Sequence, residues 1–295
     1  MGDRRNGPAR RIWLSARWVL EGALSHSIFS RISSSRASIF SSSPPGYIAA
    51  GFFLAIQLQE GKCFAVLGIR PRLGMALVKV CGNRYAMDAH LVASFEPDYM
   101  GWIFVPSSPR RISPDQAMGL IRAIRGAHPS IQHVAVMGGT GLDEIIRLLR
   151  QMKNLTAPEN PVDAIQLIGT ALDVECIGSI LRQMGLKIPI WPVLRVDSAV
   201  SDQDLLNLGH AKLYLLDRKM PNALGGTGRV IEEEWIQNVT LPYLLAGGIN
   251  PQNAREKLER TSAAGLDIGS GLETGIPGRK DEAKLEELFR SLGRV

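Results

Sequence analysis

The chain has 295 residues, 45% of them hydrophobic, and a formal net charge of +6, which suits one large α/β domain with a full core or two small ones. Cys63, Cys81 and Cys176 show no CxxC spacing and the histidines no cluster, which argues against a disulfide framework or a structural zinc site and suits a reducing, cytoplasmic compartment. Ten Lys/Arg against Asp3, Glu21 and Glu60 place +7 on residues 1–74, while 24 bases and 25 acids leave residues 75–295 at −1, with no footprint for nucleic acid.

Residues 1–74 are rich in Arg and Ser, with Ser33–Ser35, Ser41–Ser43 and Pro44-Pro45. The apolar stretch Tyr47–Leu58 is too short to span a bilayer comfortably, so no membrane partner is expected. Three readings of this stretch stay open. It is an over-extended start with the working chain beginning at Met75, a transit peptide that would place the protein in an organelle, or an accessory segment. Its lack of a periodic core pattern argues against an independent domain and marks it as a non-core N-terminal extension.

From Met75 the rhythm changes to short apolar runs alternating with helical patterns. Strands are expected at Leu77–Cys81, Tyr99–Val105, His133–Met137, Ala164–Ile168, Ile188–Val193, Lys212–Asp217, Leu241–Ala246 and Gly265–Gly269. Ser113-Pro114 and Asn250-Pro251 each place a capping side chain before a proline at the first helical position. Leu142–Met152 and Asp281–Leu292 have helical spacing, and Cys176 falls inside another helix. Eight strands alternating with helices over residues 75–295 predict a (β/α)8 TIM barrel as the single catalytic domain. An open doubly wound sheet is the competing reading, weakened by the lack of GxGxxG after the first strand.

A barrel of this kind builds its site from the loops at the carboxyl ends of its strands. Cys81 ends the first strand, before Gly82, and Asp217 ends the sixth. Arg110 follows the second strand in Pro106-Ser107-Ser108-Pro109-Arg110-Arg111, where flanking prolines stiffen the loop. Its forked donors suit a carboxylate, though an arginine before a helix is also commonly a solvated charge. Glycine clusters at Gly225–Gly228, Gly247-Gly248 and Gly269-Ser270-Gly271 let backbone N–H groups approach a phosphate, so Gly226, Gly228, Gly247, Gly248, Ser270 and Gly271 are candidate phosphate-binding residues. His90, His128, His133 and His210 have no partner spacing and read as structural. Trp102 and Trp191 read as packing residues, and Cys63 and Cys176 as incidental.

Over residues 76–292 the chain resembles the phosphoribosylanthranilate isomerase family of tryptophan biosynthesis. The resemblance rests on Val78-Lys79-Val80-Cys81-Gly82, Phe104–Arg110, Gln166–Gly169, Leu215-Leu216-Asp217, Gly225–Gly228, Leu245–Gly248, Asp267–Glu273, Pro277-Gly278 and Lys280-Asp281 in order. It implies an Amadori rearrangement of N-(5-phosphoribosyl)anthranilate, a small phosphorylated substrate, without metal or cofactor, by a monomer or homodimer. It also implies Cys81 as general base, Asp217 as general acid, Arg110 on the anthranilate carboxylate and the glycine loops on the phosphate. That chemistry asks for a raised Asp217 pKa, and for a Cys81 pKa that is lowered or a thiol proton that leaves on binding. Lys79, on the same side of its strand as Cys81, is placed to supply positive potential or to serve as an interior structural charge.

The chain departs from the family pattern at Ile168, where His is usual, at Gly139, where Asn is common, at Asn83-Arg84 and at Gly269. A related histidine-pathway isomerase, which uses two aspartates, and a catalytically silent phosphate-binding barrel remain the competing readings. Cys81 in place of an aspartate argues against the first, and the departures keep the second open.

Overall fold

The computed structural model describes residues 39–40, 53–57, 64–68, 75–156, 159–219 and 230–294. Three short strands, β1 (Ile39–Phe40), β2 (Phe53–Gln57) and β3 (Phe64–Gly68), pair antiparallel in the order β1-β2-β3. This small sheet was not expected from the residues, and it belongs to a compact unit separate from the one that follows.

The second unit is the barrel. Its strands are β4 (Leu77–Cys81), β5 (Tyr99–Ile103), β6 (Gln132–Gly138), β7 (Ala164–Ile168), β8 (Ile190–Val196), β9 (Tyr214–Arg218), β10 (Tyr243–Leu245) and β11 (Gly265–Ile268). Each pairs in parallel with its neighbours, and β11 closes on β4 with Asp267 opposite Lys79. The helices are α1 (Ala86–Ser94), α2 (Pro114–Ala127), α3 (Leu142–Thr156), α4 (Ala171–Gln183), α5 (Asp202–Leu206), α6 (Glu233–Ile236), α7 (Pro251–Arg260) and α8 (Glu282–Ser291). The open-sheet alternative is therefore excluded.

Alternation along each strand builds two apolar layers. Val78 and Val80 of β4 point outward into a large shell with Ile121, Leu149, Ile177 and Leu288 of the helices. Leu77 points inward with Tyr99, Val134, Ala164, Trp191 and Leu215, and Tyr99 meets Trp191 edge-on at 5.0 Å. Trp102 lies in the shell, where its indole N–H donates to Nδ1 of buried His133 at 3.2 Å, so both are structural, as expected.

The expected caps form. The Ser113 hydroxyl accepts from the Gln116 amide and the Asn250 side chain from those of Gln252 and Asn253. Strand limits differ where burial and pairing part company. The Ile188–Val193 run is apolar, but the pairing segment is β8, displaced to Ile190–Val196. Pro189 contributes only a carbonyl, which accepts from Ile165, and the ladder continues through Arg195, a charged residue that breaks the apolar run.

Candidate active site

The carboxyl ends of the strands gather a set of charges inside an otherwise apolar barrel. Lys79, fully buried, donates to Asp267 at 2.8 Å across the β11–β4 seam. A charge buried this deeply is tolerable only when paired. The pair flanks both expected catalytic groups, because Lys79 and Asp267 act electrostatically on Cys81 and on Asp217. Thiol and carboxyl therefore both feel the field of one ion pair.

Space for this arrangement comes from Gly101 on β5. A Cβ there would lie 2.7 Å from the Cys81 sulfur and 2.9 Å from the Lys79 ammonium. Sequence reasoning assigned no role to Gly101. Its signal is a glycine inside an apolar strand, which marks a close approach.

Burial pushes the Cys81 thiol above its ordinary value, and the opposing pull of Lys79 does not reverse this. Val105, Val136 and Ile168 form the apolar wall beside it. The expected lowering is not what the folded site provides: burial favours the protonated thiol. Ile168, one of the departures, contributes to that wall.

Asp217 lies within β9, one residue before its end. Burial raises its carboxyl to about 6, against the pull of Arg195 on β8, whose Nε stands 3.8 Å from the carboxylate. The raised value agrees with the need for an acid. Arg195 was missed because a charged residue reads as the end of an apolar run.

Arg110 sits in the loop after β5. Its Nε and Nη2 donate to the two carboxylate oxygens of Glu273, each at 2.8 Å. Its aliphatic stem rests against Gly82, whose φ of +80° favours glycine and where a Cβ would come within 2.8 Å of Arg110 Cδ. Arg110 thus lies directly on the turn that follows Cys81.

Asn83 and Arg84, two of the other departures, make local hydrogen bonds. The Asn83 amide donates to the Val80 and Gly101 carbonyls at 2.9 and 3.0 Å and ties the end of β4 to the middle of β5. Arg84 reaches the Pro109 carbonyl at 2.6 Å and anchors the loop that carries Arg110. Gly139 has φ +66°, a conformation that asparagine also tolerates.

Of the glycine clusters, Gly226 and Gly228 lie outside the described residues. Gly247 and Gly248 follow β10 and lead into α7, and Ser270 and Gly271 open a 3-10 turn (Ser270–Leu272) after β11. These two clusters meet, since a Cβ on Gly271 would lie 2.0 Å from the Ile249 carbonyl. A Cβ on Gly247 would lie 3.0 Å from the Asp217 carboxylate, so the acid borders this glycine face. Among the described residues no helix is long and apolar enough to cross a membrane.

A closed parallel barrel with titratable groups converging at the carboxyl ends of its strands defines a barrel enzyme. More specifically, the chain belongs to the N-(5'phosphoribosyl)anthranilate (PRA) isomerase family, whose model matches residues 78–291. It is 32% identical over 226 residues to N-(5'-phosphoribosyl)anthranilate isomerase of Nostoc punctiforme, covering 73% of this chain and 98% of the relative. To the protein of that name from Geobacter metallireducens it is 31% identical over 223 residues, with the same coverage. The crystal structure of phosphoribosyl anthranilate isomerase from Thermus thermophilus matches with a TM-score of 0.60 at 27% identity, over 74% of this chain and 98% of that one.

Proposed function

We propose that the chain catalyses the Amadori rearrangement of N-(5-phosphoribosyl)anthranilate to 1-(2-carboxyphenylamino)-1-deoxyribulose 5-phosphate in L-tryptophan biosynthesis, with residues 75–295 as the catalytic domain. The observation that carries the reading is a buried carboxyl held at about 6 and a buried thiol, both beside the Lys79–Asp267 pair at the carboxyl face of the barrel.

Asp217 protonates the furanose ring oxygen, the C1–O bond breaks, and the anilino nitrogen supplies the electrons that form an iminium. A carboxyl at about 6 is protonated in about one molecule in ten at pH 7, enough to act while remaining a competent acid. The iminium brings positive charge to the site, and the neutral Cys81 thiol then loses its proton to solvent. The Lys79 ammonium next to it supports the thiolate. The thiolate takes the proton from C2, the electron pair moves to give the enolamine, and tautomerisation yields the ketone. Arg110 holds the anthranilate carboxylate, and Gly226, Gly228, Gly247, Gly248, Ser270 and Gly271 hold the phosphate. A free thiol as base suits a reducing, cytoplasmic compartment.

The test is turnover of freshly generated N-(5-phosphoribosyl)anthranilate by the purified chain and by Cys81→Ala. The parent should convert substrate, and the variant should lose about 10²–10⁴-fold in kcat. Full activity in Cys81→Ala would sink the thiol's role as base. Product binding without turnover in the parent would sink the reaction itself.

A further inference from the structure

The carboxylate of Glu273 lies deep under the loop that follows β11, only 3% exposed, and several groups converge on it. It takes the fork of Arg110 at 2.8 Å on each oxygen, the Gly278 amide at 2.9 Å, and the Lys280 ammonium at 3.6 Å. Its main-chain carbonyl accepts from Lys284 at 2.6 Å. Lys280 in turn donates to the Cys81 carbonyl at 2.7 Å and to that of Gly269 at 3.3 Å. A carboxylate that touches neither Cys81 nor Asp217 is thus tied to the strand end that carries the thiol and to the arginine above it.

The geometry of the fork decides what Arg110 has left to offer. Glu273 occupies the Nε–Nη2 edge of the planar guanidinium, so the ring of donors cannot rotate. Among the described residues Nη1 donates to no protein acceptor, and the side chain keeps 15% of its surface open. Lys280 is fully buried and Lys284 is committed to the Glu273 carbonyl, so Arg110 is the cation of this cluster that keeps an open edge.

We infer that Glu273 is the positioning residue for Arg110, fixing the guanidinium so that its Nη1 edge receives the carboxylate of the substrate and thereby selecting substrates that carry one. This rests on the reading of Arg110 as the carboxylate holder. Glu273 acts through Arg110 and touches no reacting atom.

The experiment is a double-mutant cycle read as KM and kcat separately, with thermal melting as a check on folding. Glu273→Gln should raise KM about tenfold and change kcat less than threefold. In an Arg110→Ala background the same substitution should change KM less than twofold, because its target is gone. Independent, multiplicative effects of the two substitutions on KM would overturn the inference, as would a fall in kcat with KM unchanged, which would place Glu273's action on the Cys81 strand end through Lys280. An Arg110→Ala variant with parental KM would overturn the carboxylate reading of Arg110 and the inference with it. If Glu273→Gln does not fold, Arg110→Lys carries the test: lysine keeps the charge but cannot form the fork. Its KM should then rise as far as that of Arg110→Ala, and a KM within twofold of the parent would refute the inference.

Discussion

At the scale of single residues, Asp217 shows how the site trades stability for chemistry. Its carboxyl is held at about 6 in the folded chain against an ordinary 3.8. A carboxyl whose folded value is raised binds its proton more tightly in the folded state. That contribution is fully present below the unfolded value near 4 and is lost as pH rises through 6. At neutral pH the buried charge costs the fold on the order of 3 kcal/mol. Asp217→Asn should therefore abolish turnover and raise the melting temperature at pH 7.5, with the gain vanishing near pH 4. A melting difference that is equal at both pH values would contradict this account. The thiol presents the opposite case. Its residue type and place were legible in the sequence, but its protonation state was not, because that depends on the wall formed by Val105, Val136 and Ile168 from three other segments.

At the scale of elements, β5 carries the least conspicuous requirement of the site. Replacing Gly101 with alanine favours the strand in itself, since glycine weakens strand interiors. The added methyl, however, would sit 2.7 Å from the Cys81 sulfur and 2.9 Å from the Lys79 ammonium. Gly101→Ala should keep a cooperative melting transition and lose at least about tenfold in kcat/KM, since general-base catalysis depends on position. Parental kinetics would show that the two side chains have room to shift. Element by element, β4 and β7 match their apolar runs, and the Ser113 and Asn250 caps match their local spelling. These signals are local. β8 was misplaced because hydrophobicity reports burial rather than pairing, and Arg195 was overlooked for the same reason. The Lys79–Asp267 pair joins residues 188 apart, so no window along the chain contains it.

At the scale of the whole molecule, every barrel strand and every described site residue lies at or beyond Leu77, and the family model begins at residue 78. A chain begun at Met75 should melt within a few degrees of the full chain and keep kcat/KM within about twofold. A large loss of either would assign residues 1–74 a part in the working protein. The alternating pattern made the barrel legible because each βα unit buries its own faces. The network beneath Arg110 was not, because Glu273 and Lys280 acquire their partners only when the last strand closes on the first.

That closure has a consequence for how the protein is made. The Lys280 ammonium meets the Cys81 carbonyl across 199 positions of chain. During synthesis Cys81, Arg110 and Asp217 all emerge well before Asp267, Glu273 and Lys280. A growing chain therefore carries the proposed base, carboxylate holder and acid while the charged groups that pack around them are still missing. Contacts of such long range form slowly, because the intervening chain must be ordered first. On the proposed reading, the site is complete only once the last strand has closed on the first, so its assembly waits on the longest-range contacts of the barrel.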